Sequence, residues 1–331
     1  MRADQLRRLG IALVVLLVIW GGMSLLRALR KDRPEGFAVP RVKPAEVDTI
    51  LVARGDTTIR LVRSGAGWRV NGYPTAENSV KELLDALADT GATTELVARN
   101  ASSHAQLGVD SVKGKRLVVK AGARELVRYI VGNRGSDWES SYVRRPGSDD
   151  VYLLKSRLAD LAGRGVDEWR DKRLAAVEPD SVAAVEVTRG RTGYRLERAG
   201  KLWTFKDGKE TDSAAVARLL EQFKSLSAAG FATRAQADSA DFATPERRVT
   251  LSAPCGRPLL ALVMDSAGSN YWVRKDADST VYRLDSWTAD QLAPKDSTLR
   301  KKAPARPAAA APAARKVPAA GKAPARKKPA G

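Results

Sequence analysis

The chain has 331 residues, of which 44% are hydrophobic, so it has enough apolar content for packed domains and is not a wholly disordered protein. The formal net charge of +19 is uneven: residues 1–33 carry +5, residues 300–331 carry +10, and the rest carry only +4. A domain that reads DNA usually carries its charge on its own folded face, so specific nucleic-acid binding is not expected.

The first predicted element is a membrane-spanning helix over residues 9–29. No charged residue occurs from Leu9 to Leu26, and a spanning helix needs about 20 mostly apolar residues. The competing interpretation is a cleaved signal peptide, but no small-residue cleavage site follows, which favours an uncleaved anchor. Lys and Arg are almost equal on the two flanks. We expect the short tail, residues 1–8, to stay inside and the rest to lie on the extracytoplasmic side of an inner (plasma) membrane, after a linker over residues 30–44.

An internal repeat organises the remainder of the chain. Residues 47–70 overlay residues 182–205 at a shift of 135 positions, with ten identities in 24 positions. The repeat predicts two tandem copies of one β-rich unit, repeat 1 over residues 45–174 and repeat 2 over residues 175–299.

Each predicted unit has the order β-β-β-α-β-β-β-β-α, which indicates an α+β fold. Period-two alternation at Ile50, Val52, Ile59 and Leu61 predicts a meander of three strands, whose core face carries a tryptophan, Trp68 or Trp203. A helix follows with apolar residues at i, i+3, i+4 and i+7. Its predicted N-caps are Thr75 or Ser79 in the first copy and Asp212 or Ser213 in the second. The later predicted elements are strands at residues 116–120, 125–131, 142–144 and 151–154 and a helix at 155–162, with counterparts at residues 247–253, 258–264, 271–274, 281–284 and 286–292.

Residues 300–331 are rich in Ala, Pro, Lys and Arg, and the scattered prolines forbid a long helix. We expect a disordered tail with ten positive charges. It could touch anionic lipid, a cell-wall polymer or nucleic acid, or it could serve only as a solubilising spacer.

The order of these elements resembles the domain-of-unknown-function 4340 family over roughly residues 45–295. The resemblance rests on the meander ending in Trp68-Arg69-Val70, the Leu-Leu helix, the Tyr-Val-Arg…Val-Tyr hairpin and Trp169-Arg170-Asp171-Lys172-Arg173-Leu174. The second copy lacks a clear counterpart of that last motif. The resemblance implies a membrane-anchored protein, often associated with ABC-type transporters, whose partner would be a permease or an auxiliary subunit.

Four residues are candidate partner contacts: Trp138, Trp169, Arg170 and Asp171. Trp138 lies in the polar loop Gly-Ser-Asp-Trp-Glu-Ser-Ser and is the best candidate for an exposed contact, although partial burial is favoured for a tryptophan. Trp169, Arg170 and Asp171 have another interpretation, in which the charged residues of this segment pair locally in a turn between the repeats.

No catalytic or cofactor-binding pattern is apparent. The chain has one cysteine, Cys255, and one histidine, His104, which we interpret as a polar loop residue; the usual zinc sites and a histidine-based triad need more. Neither a dinucleotide fingerprint nor a P-loop occurs. The leading hypothesis is therefore a non-enzymatic accessory or scaffold protein that uses no cofactor. The alternatives are an envelope-polymer or lipid-binding protein, a hydrolase with paired carboxylates, and a cytosolic nucleic-acid binder of opposite orientation.

Overall fold

The computed structural model describes residue 37 and residues 39–89, 92–276 and 278–301. Contacts divide these residues into two units. Unit 1 comprises the described part of Met1–Leu174 together with Ser227–Ala235 and Val281–Arg283. Unit 2 comprises Ala175–Leu226, the described part of Gln236–Thr280, and the described residues from Leu284 onward.

In the described residues, the first sheet has nine strands in the order β4-β3-β2-β1-β6-β7-β8-β9-β5, and every neighbouring pair is antiparallel. The strands are β1 (Thr49–Arg54), β2 (Thr57–Ser64), β3 (Gly67–Val70), β4 (Tyr73–Pro74), β5 (Thr94–Ala98), β6 (Lys115–Ala121), β7 (Arg124–Arg134), β8 (Ser141–Arg144) and β9 (Val151–Leu154). The helices among them are α1 (Glu77–Ala88) and α2 (His104–Leu107), and α3 (Leu158–Leu161) and α4 (Val166–Trp169) follow.

The apolar patterns place the core of unit 1 as the sequence predicts. Alternate residues of β1 and β2 are buried, and the stripe of α1 is buried with them: Ile50, Val52, Ile59, Leu61, Val80, Leu83, Leu84 and Leu87. Burial of one such aliphatic side chain contributes about 1.5–3 kcal/mol, so the stripe holds α1 in this core. Trp68 is half-buried against the same core.

The second sheet has eight strands among the described residues, in the order β13-β12-β11-β16-β17-β18-β19-β15. Its strands are β11 (Ala184–Arg189), β12 (Thr192–Ala199), β13 (Leu202–Phe205), β15 (Gly230–Phe231), β16 (Arg247–Ser252), β17 (Pro258–Ala267), β18 (Asn270–Lys275) and β19 (Tyr282–Asp285). The remaining elements are β10 (Arg173–Ala175), which pairs with β14 (Leu226–Ser227), and the helices α5 (Ser213–Glu221), α6 (Arg234–Ser239), α7 (Ser286–Leu292) and α8 (Asp296–Leu299). Trp203 is buried, as expected of the core face.

The fold is β-rich with few helices, which confirms the α+β class, but the predicted element order is incomplete. It omits the short strands β4, β10, β14 and β15, the short helices α2, α4, α6 and α8, and β5, which pairs with β9. None of the residues of β5 is buried, so its Thr-Glu-Leu-Val-Ala sequence carries no apolar face for periodicity to detect.

Two local predictions in unit 1 are wrong. The N-cap of α1 is Ala76, which has no side-chain cap; Thr75 instead donates its hydroxyl to the carbonyl oxygen of Trp68 at 3.1 Å, and Ser79 lies inside the helix. His104 is not a loop residue: it begins α2, is buried, and its Nε2 donates to the carbonyl oxygen of Asp149 at 3.0 Å. In unit 2, the predicted cap Asp212 is confirmed, since its carboxylate accepts from the N–H groups of Ala214 and Ala215.

The intervals predicted as linker and tail contribute to the fold at their inner ends. Phe37 and Val42 are buried in the core of unit 1, and the Phe37 ring lies 4.9 Å from that of Tyr129 and 5.0 Å from that of Tyr152. At the other end, Arg300 forms a bridge with Thr211 in unit 2. The rest of the predicted tail, residues 302–331, lies outside the described residues.

The predicted spanning helix, residues 9–29, also lies outside the described residues. Within the part of the chain that the structure describes, no helix is both long enough and apolar enough to cross a membrane.

Candidate functional site

The loop between β7 and β8, residues 135–140, is tied together by one carboxylate. Asp137 accepts hydrogen bonds from the N–H groups of Glu139 (3.2 Å) and Ser140 (2.9 Å) and from the Ser140 hydroxyl (2.6 Å). The N–H of Gly135 donates to the carbonyl oxygen of Ser140 at 2.8 Å and closes the base of the loop. The hydrogen bond from the Ser140 side chain is the main cause that lowers the pKa of Asp137. The loop therefore has a fixed conformation before any ligand arrives.

The base of this loop is also fixed to the rest of unit 1. Ser141, which begins β8, is fully buried. Its hydroxyl donates to the carbonyl oxygen of Ser156 at 2.6 Å and accepts from the N–H of Ala159 in α3 at 2.8 Å. These bonds join β8 to the segment that begins α3, so the loop stands on a rigid support.

Trp138 is presented to solvent by this loop in a strained conformation. Its side chain is 69% exposed and its φ is +64°, a left-handed backbone that bulky residues rarely adopt. Such a residue costs on the order of 1–3 kcal/mol and persists only where its surroundings enforce it. The guanidinium carbon of Arg134 lies 4.8 Å from the ring centroid and covers part of the indole. The favoured partial burial of this tryptophan is therefore wrong, and its side chain is accessible for a contact.

A pocket of about 510 Å³ opens beside Trp138. Lys115 from β6, Arg134 from β7 and Asp160 from α3 line it together with the loop. Arg134 is already engaged, because its guanidinium forms an ion pair with Asp160 at 2.5 Å. The pocket thus has an aromatic wall, a neutralised ion pair and one further cation.

That further cation, Lys115, is partly buried, and few groups of the protein stabilise its charge. Its Nζ donates to the carbonyl oxygen of Gly132 at 3.3 Å, and it makes no ion pair with any carboxylate that the structure describes. Burial is the main cause that lowers the pKa of Lys115, and the nearby charge of Arg54 lowers it further, whereas Asp160 opposes both. A desolvated ammonium with unused donors is suited to bind an anion.

The other three candidate contacts do not line this pocket. Trp169 is fully buried in the core of unit 1, so its indole is not accessible at the surface. The guanidinium of Arg170 lies 3.9 Å from the Tyr73 ring centroid and 3.4 Å from that of Phe231, and its side chain is only 11% exposed. Asp171 accepts from the N–H of Arg173 at 2.9 Å. These contacts agree with packing and local pairing in the turn.

Sequence reasoning missed Lys115, Arg134 and Asp160. They are far apart in sequence and come together only because the β6–β7 hairpin and α3 meet beside the loop. The predicted strand 125–131 ends too early, since β7 continues to Arg134. A strand extended to Arg134 would have placed this guanidinium next to the tryptophan loop.

A buried arginine at the end of a strand pair in the second sheet offers a contrast to Lys115. Ala53 pairs with Arg116, so Lys115 lies near Arg54 at the end of β1; in the second sheet Arg189, at the end of β11, pairs with Arg247. Arg247 is buried and donates to Asp290 at 2.7 Å and to the Tyr271 hydroxyl at 2.6 Å. Both terminal nitrogens of Arg247 thus donate to groups of its own chain, whereas its buried Nε has no hydrogen-bond partner among the described residues.

No group of three or more His, Cys, Asp or Glu side chains that could hold a metal ion occurs among residues 37–301 where these are described.

The sequence profile described as Domain of unknown function (DUF4340) matches residues 68–247. The chain belongs to the DUF4340 family. The match is narrower than the predicted resemblance over residues 45–295, but it contains the whole Trp138 loop and Lys115 and Asp160 beside it. No curated protein and no solved structure matches the chain.

Proposed function

We propose that this DUF4340 protein is a non-catalytic accessory or scaffold protein that is anchored in the inner (plasma) membrane and docks on a membrane partner through its Trp138 loop. The partner we propose is a permease or auxiliary subunit of an ABC-type transporter. The observation that carries the proposal is the exposed, strained Trp138 on a loop that is fixed without any ligand. Exposed tryptophans beside arginines are the side chains that most often dominate protein–protein interfaces.

The proposed anchor is residues 9–29, with the described residues on the extracytoplasmic side. Phe37, buried in the core of unit 1, follows the proposed span by only eight residues. Eight residues reach at most about 29 Å when fully extended, so this core cannot be far from the bilayer. A docking loop on unit 1 is then within reach of a partner in the same membrane.

We also propose that the chain contains two tandem copies of one unit, and matching backbone contacts support this. The N–H of Ala76 donates to the carbonyl oxygen of Trp169 at 2.9 Å, and that of Asp212 donates to Leu299 at 2.8 Å. The bridge between Thr75 and Arg170 has a counterpart between Thr211 and Arg300. By this comparison, Leu299-Arg300-Lys301 takes the place of the Trp169-Arg170-Asp171 segment that the second copy was expected to lack.

The proposal is tested by placing a photo-crosslinking amino acid at position 138 of the full chain in intact cells. Position 287 is the matched control, because Trp287 is also 69% exposed. We expect position 138 to crosslink to an integral membrane protein and position 287 to give no such product. Equal products at both positions, or none at position 138, would contradict docking through this loop.

The alternative is an envelope protein that holds a wall polymer or lipid headgroups. Trp138 would suit it as well, since an exposed indole can stack on a sugar ring. The same crosslinking experiment separates the two, because this alternative predicts a product with polymer or lipid in place of protein. Membrane fractionation of the full chain tests the proposed anchor independently.

A further inference from the structure

The pocket beside Trp138 has one more positive charge than its own side chains neutralise. Lys115 and Arg134 supply two cations, whereas Asp160 is the acidic side chain among the lining residues. Since Asp160 pairs with Arg134 at 2.5 Å, Lys115 is the cation whose donors remain available. An anion in the pocket would replace part of the hydration that burial removes from this ammonium.

The second sheet provides an internal contrast. Arg247 donates to Asp290 and Tyr271, and its Nε lies 3.6 Å from a Glu246 carboxylate oxygen. At this position the protein therefore supplies its own carboxylates for the cation, although the Nε of Arg247 makes no hydrogen bond among the described residues. Asp160 lines the same pocket as Lys115 but pairs with Arg134 and Arg157, and no carboxylate among the described residues forms an ion pair with Lys115, so an external carboxylate can do so.

The size of the pocket and the arrangement of its lining residues favour a protein ligand over a long polymer. The pocket has a volume of about 510 Å³, which lies in the range typical of sites that enclose one compact ligand. One exposed aromatic ring adjoins it, whereas a groove that grips a long glycan would need several successive ring platforms. A single aromatic anchor next to a complementary charge is typical of a protein–protein contact.

We propose that this pocket binds the carboxylate of an acidic side chain from an extended segment of a protein partner, with Lys115 as the counter-ion and Trp138 packing against the neighbouring partner residue. This inference rests on the proposed docking function and names the chemistry that the docking loop recognises. Arg134 holds the indole in place and stays paired with Asp160 when the ligand enters.

The test uses the full chain in detergent micelles and a fluorescein-labelled nonapeptide that alternates leucine with glutamate. Fluorescence polarisation measures its affinity for wild type, Lys115→Met and Lys115→Arg. We expect Lys115→Met to weaken peptide binding at least tenfold and Lys115→Arg to retain most of the wild-type affinity. Lys113→Met is the matched control, because Lys113 is exposed, lies two residues away and does not line the pocket. It should leave the affinity unchanged.

A second pair of variants tests the aromatic part of the site. Trp138→Ala should weaken peptide binding about tenfold, whereas Trp287→Ala should have no effect. Circular dichroism melting curves of all variants show whether each one remains folded.

Three results would overturn the inference. The first is that a peptide with glutamine in place of glutamate binds equally well. The second is that Lys115→Met leaves the affinity for the acidic peptide unchanged. The third is that soluble peptidoglycan fragments bind in a way that depends on Lys115 while the acidic peptide does not bind. None of these three results decides whether position 138 crosslinks to a membrane protein. If that crosslink forms while the peptide fails, docking stands and carboxylate recognition is wrong.

Discussion

At the scale of single residues, Trp138 combines two unfavourable features, an exposed apolar ring and a positive φ. A glycine or asparagine would form the same turn with less strain. The hydrogen bonds around Asp137 hold the backbone in this conformation, so the loop keeps its shape at the expense of stability. Strain of this kind is concentrated at functional sites, which is consistent with the proposed docking role.

The strain at this residue can be measured by comparing two substitutions. Trp138→Ala and Trp138→Gly both remove the indole and its contact with Arg134, but only glycine relaxes the positive φ. We expect the glycine variant to be more stable than the alanine variant by about 1 kcal/mol, the approximate cost of a left-handed conformation for a residue with a Cβ. Urea unfolding of the full chain in detergent measures the difference. Equal stabilities would show that the loop relaxes and stores no strain at Trp138.

Lys115 in the first sheet and Arg247 in the second are two cations that differ in what surrounds them. Arg247 is a structural cation, since a carboxylate, a hydroxyl and a ring surround it. Lys115 has only the carbonyl oxygen of Gly132, and burial lowers its pKa. The group loses its proton at a lower pH than an ordinary lysine does, so anion binding should weaken as the pH rises through this lowered pKa. The charges that face Lys115 from other elements are Arg54 on β1 and Asp160 on α3.

At the scale of elements, the two long helices differ in how they begin. Asp212 caps α5 with two hydrogen bonds, whereas Ala76 leaves the first turn of α1 without a side-chain cap. The backbone at Ala76 is already extended, as an N-cap residue requires. The difference is thus confined to the side chain.

Exchanging these caps should change stability in opposite directions. Asp212→Ala should lower the free energy of unfolding by about 1 kcal/mol, and Ala76→Asp should raise it by about 0.5–1 kcal/mol. Both effects should be seen in urea unfolding near pH 7, where the aspartate is ionised. Ala76→Asn is a useful control, since it offers a cap without a charge. A loss of stability in both Ala76 variants would mean that the helix start is held in a way that leaves no room for a cap.

The elements that the sequence predicted correctly are those with an apolar face. Ile50, Val52 and the Val80-to-Leu87 stripe are spaced by the geometry of the strand or helix itself, so local periodicity is sufficient to find them. β5 has no buried residue, and it forms because its backbone pairs with β9. The Trp138 loop was recognised from its polar composition. Lys115, Arg134 and Asp160 could not be joined to it, because only long-range strand pairing brings them there.

At the scale of the whole molecule, the connection between the proposed anchor and the folded part is short. Phe37 packs between Tyr129 and Tyr152, and the guanidinium carbon of Arg145 lies 5.3 Å from its ring centroid. These aromatic contacts hold Phe37 in the core of unit 1. After Phe37, the next fully packed apolar residue that the structure describes is Val42, five residues further on.

Phe37→Ala therefore tests whether a short connection matters for docking. The substitution should lower the free energy of unfolding by about 3–5 kcal/mol, because Phe37 is an aromatic residue buried in the core of unit 1. It should also lengthen the free connection by five residues, or about 17 Å of reach at full extension. We expect the position-138 crosslink to the membrane partner to decrease, while binding of the acidic peptide in detergent is retained, because the Trp138 pocket does not include Phe37.

Phe37→Leu is the matched control, since it keeps an apolar side chain in the core and should preserve both the connection and the crosslink. Yields are compared at a temperature where urea and thermal unfolding show every variant to be folded. An undiminished crosslink in Phe37→Ala would mean that the partner reaches the Trp138 loop without help from a short connection. A parallel loss of crosslink and peptide binding would instead place the effect in the stability of unit 1. The expected pattern, loss of the first with retention of the second, follows only if the aromatic contact at Phe37 sets the distance between the Trp138 loop and the membrane.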